Sequence, residues 1–145
     1  FAGIRRRFET HLKTDKLTII DDYAHHPEEL LASIKSVKAL YENKKVCGVF
    51  QPHLFTRTRD FYKDFAQALS FLDLVVLVEI YPARELPIEG VSSKIIFDEV
   101  ICNEKILTTK KDLISVLKLQ QFDVLLTIGA GDIDMYLPQI VEALR

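Results

Sequence analysis

Three stretches of this 145-residue chain are apolar on consecutive residues: 46–50, 74–78 and 124–126. A strand alternates its side chains between two faces, so a short strand that is apolar throughout must be covered on both. That condition is met by a parallel sheet with helices packed on each side. Helical patterns duly separate these runs. Leu30, Leu31, Ile34, Val37, Leu40 and Tyr41 recur at helical spacing, as do Phe61, Phe65, Ala68 and Leu69, and then Leu113, Ile114, Val116 and Leu117. Such alternation predicts an α/β fold, a Rossmann-like, doubly wound, mostly parallel sheet of about six strands.

The remaining elements fit this frame. Residues 8–12 alternate like a half-buried strand, 13–16 read as a polar turn, and 16–20 as the next strand. The pair predicts a hairpin that adds one antiparallel edge strand. Pro27 stands where a first helical residue belongs, with Glu28 and Glu29 at the positive helix end. Further strands are expected over 73–80, 105–108 and 123–128. A short helix is expected over 92–101, capped by Ser92 or Ser93. Thr109 and Asp112 have the spacing of a capping box. The last helix is expected over 133–144, with Pro138 an irregularity in it. The whole chain, 1–145, reads as one domain.

Composition narrows the function classes. A net charge of -2 gives no footprint for nucleic acid, and no apolar run approaches the roughly 20 residues of a membrane span. No signal peptide is visible. Cys47 and Cys102 both sit in apolar surroundings and read as reduced, buried thiols of a cytoplasmic protein, although spacing alone does not exclude a disulfide. The chain starts at Phe1 and its only methionine is Met135, which favours a piece cut from a longer protein.

The unusual polar residues cluster after strands. In a parallel sheet the carboxyl ends of the strands share one edge, so the turns after Ile20, Phe50, Ile80 and Ile128 should face one side. Asp21-Asp22-Tyr23-Ala24-His25-His26-Pro27 is the densest of them. Its aspartates suit an acid/base pair, a ribose-hydroxyl acceptor or a helix cap. Its histidines are adjacent, lack zinc spacing, and suit hydrogen bonding to a polar substrate better than a metal. His53 suits a structural hydrogen bond or a substrate contact. Arg57 and Arg59 open a helix, where the macrodipole disfavours cations. Each is either an anion clamp or a partner of Asp60 or of the acidic turn. Gly129-Ala130-Gly131 is either a phosphate cradle or a tight turn needing small residues. Arg5-Arg6-Arg7 is either a solvated linker or a reach toward a phosphate. No nucleophile stands near Asp21 and Asp22, which favours ligand binding over proton transfer, and no Ser–His–Asp or Cys–His arrangement has a supporting motif.

Taken together, Asp21-Asp22-Tyr23-Ala24-His25-His26-Pro27, Gln51-Pro52-His53 with Phe55-Thr56-Arg57-Thr58-Arg59-Asp60, Tyr81-Pro82-Ala83-Arg84-Glu85 and Gly129-Ala130-Gly131-Asp132-Ile133 closely resemble the C-terminal domain of the Mur ligase family, in the form it takes in UDP-N-acetylmuramate–L-alanine ligases. The opening Gly3-Ile4-Arg5-Arg6-Arg7-Phe8 matches the family's entry into this domain. The resemblance implies a cytoplasmic enzyme with two further domains, one for the UDP-sugar and one ATPase domain with the P-loop. It uses ATP and Mg2+, both bound mainly by that central domain, to activate the carboxylate of UDP-N-acetylmuramate as an acyl phosphate. The amine of L-alanine then attacks. Position by position, the resemblance gives Arg7 to the nucleotide, Asp21, Asp22 and Tyr23 to ribose and phosphates, and His25 and His26 to the reacting centre. It gives His53 and Arg57 to the amino acid, Arg57 holding the alanine carboxylate. It implies no metal ligand in this chain. Leu54 departs from the pattern, since many members carry a basic residue there. Without its partner domains the chain is expected to be inactive. The competing readings are the related ligase that recycles a murein tripeptide, and a stand-alone Rossmann-like binding module.

Overall fold

The computed structural model describes residues 8–145. Its strands are β1 (Glu9–Lys13), β2 (Thr18–Asp22), β3 (Val46–Phe50), β4 (Leu74–Leu77), β5 (Glu104–Leu107) and β6 (Val124–Ile128). Its helices are α1 (Pro27–Leu40), α2 (Phe55–Leu69), α3 (Ser93–Glu99), α4 (Lys110–Lys118) and α5 (Leu137–Leu144), with a 3-10 turn over Ile133–Tyr136. They form a six-stranded sheet in the order β1-β2-β6-β3-β4-β5, parallel except for the β1–β2 hairpin. The expected doubly wound sheet and its antiparallel edge are both present.

The order explains the layers. From β2 through β3 and β4 to β5 the chain steps one way across the sheet, so right-handed crossovers put α1, α2 and α3 on one face. There Leu30, Ile34, Phe65, Leu69 and Ile96 pack with Ile20, Phe50, Leu77 and Leu126. From β5 the chain returns to insert β6 between β2 and β3, which puts α4 on the other face. Leu113, Leu117, Leu137 and Ile140 pack there with Ile19, Val49, Val76 and Leu125. Strands β2, β3, β4 and β6 are buried along their whole length, as their apolar runs require.

Several local expectations hold. Pro27 starts α1, the Ser92 hydroxyl accepts from Lys94 N–H at the start of α3, and the Thr109 hydroxyl accepts from Asp112 N–H at the start of α4. Others need correction. β4 ends at Leu77 rather than Ile80. The last helix is broken into the 3-10 turn and α5, with Pro138 in the first turn of α5, where a missing N–H is harmless. Cys102 is only partly buried, beside the sheet-edge strand β5, while Cys47 is fully buried; both are free thiols. Burial pushes the Cys47 thiol well up from its ordinary range.

Phe65 is fully buried, its ring 5.2 Å from that of Phe50, and ties α2 to the sheet. Phe65→Ala should therefore lower stability by about 3–5 kcal/mol, read as a fall in the denaturant midpoint. A loss below about 1 kcal/mol would mean that this layer is not a packed core.

Candidate active site

β2 runs two residues further than its apolar run. Asp21 and Asp22 are strand residues, paired with Thr127 and Ile128 of β6, and not part of the turn. Alternation then separates them: Asp21 shares the face of Ile19, and Asp22 that of Ile20. Asp21 is buried and accepts a 2.7 Å hydrogen bond from the Thr127 hydroxyl. Asp22 lines a cavity of about 390 Å³ on the other face with Ala24, Glu28, Glu29 and Ser33. The two carboxylates therefore do not form an acid/base pair.

The turn proper begins at half-buried Tyr23 and leads into α1. The Glu29 carboxylate, one turn into α1, accepts from the backbone N–H groups of His25 and His26, both at 3.1 Å. Burial alone would raise the Glu29 pKa. These two hydrogen bonds and the neighbouring imidazoles outweigh that and hold it below the usual carboxylate range. Glu29 thus anchors the backbone from which both imidazoles project.

β3 delivers the second wall. His53 lies against Tyr81, which follows β4: the two form an isolated parallel bridge and their rings stack at 5.6 Å between centroids. The rings of His25 and His26 are 4.7 Å apart, and those of His25 and His53 6.0 Å. Three imidazoles from two different strand ends therefore converge. One turn into α2, an Arg57 guanidinium N–H meets His53 Nδ1 at 2.9 Å.

Hydrogen-bond chemistry assigns the tautomers. A guanidinium can only donate, so His53 Nδ1 accepts and its neutral ring carries the proton on Nε2. The Tyr23 carbonyl can only accept, so His25 Nδ1, 3.1 Å away, carries a proton and Nε2 holds the lone pair when the ring is neutral. Burial, and then the Arg57 charge, push the His53 pKa below its ordinary value and favour the neutral ring.

The two arginines of α2 have different fates. Arg59 pairs with its neighbour Asp60 on the surface. Among the described residues no carboxylate pairs with Arg57, which spends one of its five N–H donors on His53. Sequence spacing alone did not separate them. The glycine turn after β6 is a tight one. A Cβ on Gly131 would meet Tyr81 Cγ at 2.5 Å and Gln51 Oε1 at 2.6 Å, and Gly129 has φ +154°. Asp132 ends this turn with a carboxylate already engaged by Lys110 Nζ at 2.8 Å and Gln51 Nε2 at 2.6 Å. A phosphate there would face that negative charge. Burial would raise the Asp132 pKa, but Lys110 and Gln51 hold it down.

The network of Gln51, Asp132 and Lys110 was not foreseen from sequence, and neither was Glu85, whose carboxylate accepts from the N–H groups of Phe55 and Thr56 at the start of α2. Arg7, with Arg5 and Arg6, lies outside the described residues. Among the described residues no three His, Cys, Asp or Glu side chains are grouped to hold a metal ion, and no helix is long and apolar enough to cross a membrane.

The model of the Mur ligase C-terminal domain, described as "Mur ligase, glutamate ligase domain", matches residues 6–131. The chain belongs to the Mur ligase family. The chain is 57% identical over 144 residues to a UDP-N-acetylmuramate–L-alanine ligase of Parabacteroides distasonis, covering 99% of this chain and 31% of that one. It superposes on the UDP-N-acetylmuramate-alanine ligase of Thermotoga maritima with a TM-score of 0.77 at 30% identity, covering 96% of this chain and 30% of that one. A murein peptide ligase from Psychrobacter arcticus shares the fold, with a TM-score of 0.75 at 19% identity over 99% of this chain and 31% of that one. This Mur ligase chain therefore spans about a third of the length of the curated relatives it matches.

The depressed His53 pKa has a consequence for this Mur ligase domain. The unfolded chain takes up a proton on His53 near its ordinary value of 6.5, and the folded chain only at lower pH. Stability from this group is complete above pH 6.5 and is lost as pH falls toward the folded value. The slope of unfolding free energy against pH, as pH falls below about 6.5, should be shallower in His53→Gln than in the wild type. Equal slopes would mean that folding leaves His53 unperturbed.

Proposed function

We propose that residues 1–145 are the C-terminal domain of an ATP-dependent ligase that joins L-alanine to UDP-N-acetylmuramate, with a UDP-sugar domain and a P-loop domain elsewhere in the full protein. The observation that carries the reading is the convergence of His25, His26, His53 and Arg57 at one sheet edge, with Arg57 bound to no carboxylate among the described residues. The names of the relatives agree with it.

The residues divide the work by chemistry. Arg57 has donors left to grip the carboxylate of L-alanine in a bidentate fork. His53, with Nε2–H, adds a neutral donor beside it. His25 holds a lone pair on Nε2, suited to take the proton that the alanine ammonium must lose before it can attack an activated carboxyl. His26 stands next to it. Asp22, in an acidic cavity, fits ribose hydroxyls better than phosphates, since carboxylates repel anions; Tyr23, the next residue in the chain, is assigned with it to the nucleotide. Asp21, held by Thr127, braces the strand end rather than touching the nucleotide directly. The family resemblance assigns Arg7 to the nucleotide as well. ATP supplies the activating phosphoryl group and Mg2+ screens its charge, both bound mainly by the P-loop domain, which would make the reaction cytoplasmic and leave this chain inactive alone. Closure of the domains would complete the site.

In the full-length enzyme, Arg57→Ala should raise KM for L-alanine roughly 10- to 100-fold and leave KM for ATP within about twofold, the scale of losing hydrogen bonds to a charged group. An unchanged alanine KM would remove Arg57 from the substrate. Preference for the murein tripeptide over L-alanine as acceptor would replace the proposed reaction with the recycling one.

A further inference from the structure

We infer that Glu85 is a positioning residue that aims Arg57 and His53 from a distance of about one loop, an inference that rests on the reading of Arg57 and His53 as the amino-acid side of the site. α2 begins badly by its own means. Its N-cap is Leu54, which has no capping side chain and holds φ +74°. Its first turn contains no acidic residue and carries Arg57 instead, with Arg59 just beyond it. Unpaired N–H groups and cations at the positive end of a helix both call for an anion.

Glu85 supplies it. One carboxylate oxygen accepts from Phe55 N–H at 2.5 Å and Thr56 N–H at 3.1 Å, and the other accepts from the Thr56 hydroxyl. Glu85 is itself fixed. Its N–H donates to the Pro82 carbonyl at 2.9 Å, closing a turn in which Ala83 has φ +53°. Residues 52–54 and 81 are joined by Tyr81 N–H to the Pro52 carbonyl and Leu54 N–H to the Tyr81 carbonyl, both at 2.8 Å. The stacked Tyr81 ring holds His53 at the same point. The loop thus grips both ends of the short segment from His53 to Thr56, and Arg57 follows at once. Its hydrogen bond to His53 Nδ1, and hence the His53 tautomer, depends on where that first turn is held. The Thr56 hydroxyl and then the backbone donors keep the Glu85 pKa below the usual range, so the anion persists at neutral pH.

In the full-length enzyme, Glu85→Ala should raise KM for L-alanine about tenfold or more and leave KM for ATP within about twofold. Glu85→Gln, which keeps an acceptor oxygen but not the charge, should recover part of the loss. Nitrogen spectra of labelled histidine should show His53 protonated on Nε2 in the wild type and as mixed tautomers in Glu85→Ala. Should Glu85→Ala fail to fold, Glu85→Gln carries the same two readouts. An alanine KM and a His53 tautomer that both survive Glu85→Ala, while Arg57→Ala still raises the KM, would overturn this inference alone. If Arg57→Ala leaves the KM unchanged, the parent reading fails, and a retained His53 tautomer in Glu85→Ala overturns the positioning role as well.

Discussion

β6 is the last strand in the chain, yet it hydrogen-bonds on one side to β2 and on the other to β3. Because β2 and β3 are followed by helices on one face and β6 by a helix on the other, the chain leaves neighbouring strand ends in opposite directions. The crevice that opens between them is where α/β sheets bind ligands. The histidines after β2 and β3 face each other across this central strand. The glycine turn after β6 must lie low enough to let Tyr81 and Gln51 close over it, which is why Gly131 has no room for a side chain.

Around that crevice the polar groups are held in place by carboxylates, some local and some from other elements. Glu29 ties down the backbone of His25 and His26, and Glu85 that of Phe55 and Thr56. Asp132 is held by Lys110 of α4 and Gln51 after β3. At the opposite edge Asp73 and Asp123 do similar work, accepting from Val46 and Lys45 N–H at 2.8 Å each. Except for Asp132, which is met by side-chain donors, each of these carboxylates meets backbone N–H groups that the regular ladders leave over, and burial makes an unmet donor costly. The cations of the site are left with a different balance: Arg57 bonds to a neutral imidazole, whereas Arg59 and Lys110 have carboxylates.

Much of the fold was legible because its signals are local. Apolar runs marked the buried strands, Pro27 and Ser92 marked helix starts, and the alternation of types fixed the class. The misreadings were local too. Charge ends an apolar run, so Asp21 and Asp22 read as turn residues, yet they continue β2, and strand alternation sets them on opposite faces. The motif resemblance pointed to His25, His26, His53 and Arg57, and the structure brings these four together. Residue spacing alone did not separate Arg57 from Arg59 in what each one binds, because that depends on Asp60 and His53 in three dimensions.

The sequence by itself determined which residues could enter a strand, where helices start, and that the polar clusters would gather at one edge, since these follow from periodicity and from the shared direction of parallel strands. Only the tertiary structure decided that β6 lies between β2 and β3, that Glu85 caps a helix beginning 30 residues earlier, and that His25 and His53 hold opposite tautomers. Those outcomes depend on contacts between residues far apart in the chain, whose partners no local pattern of residue types encodes.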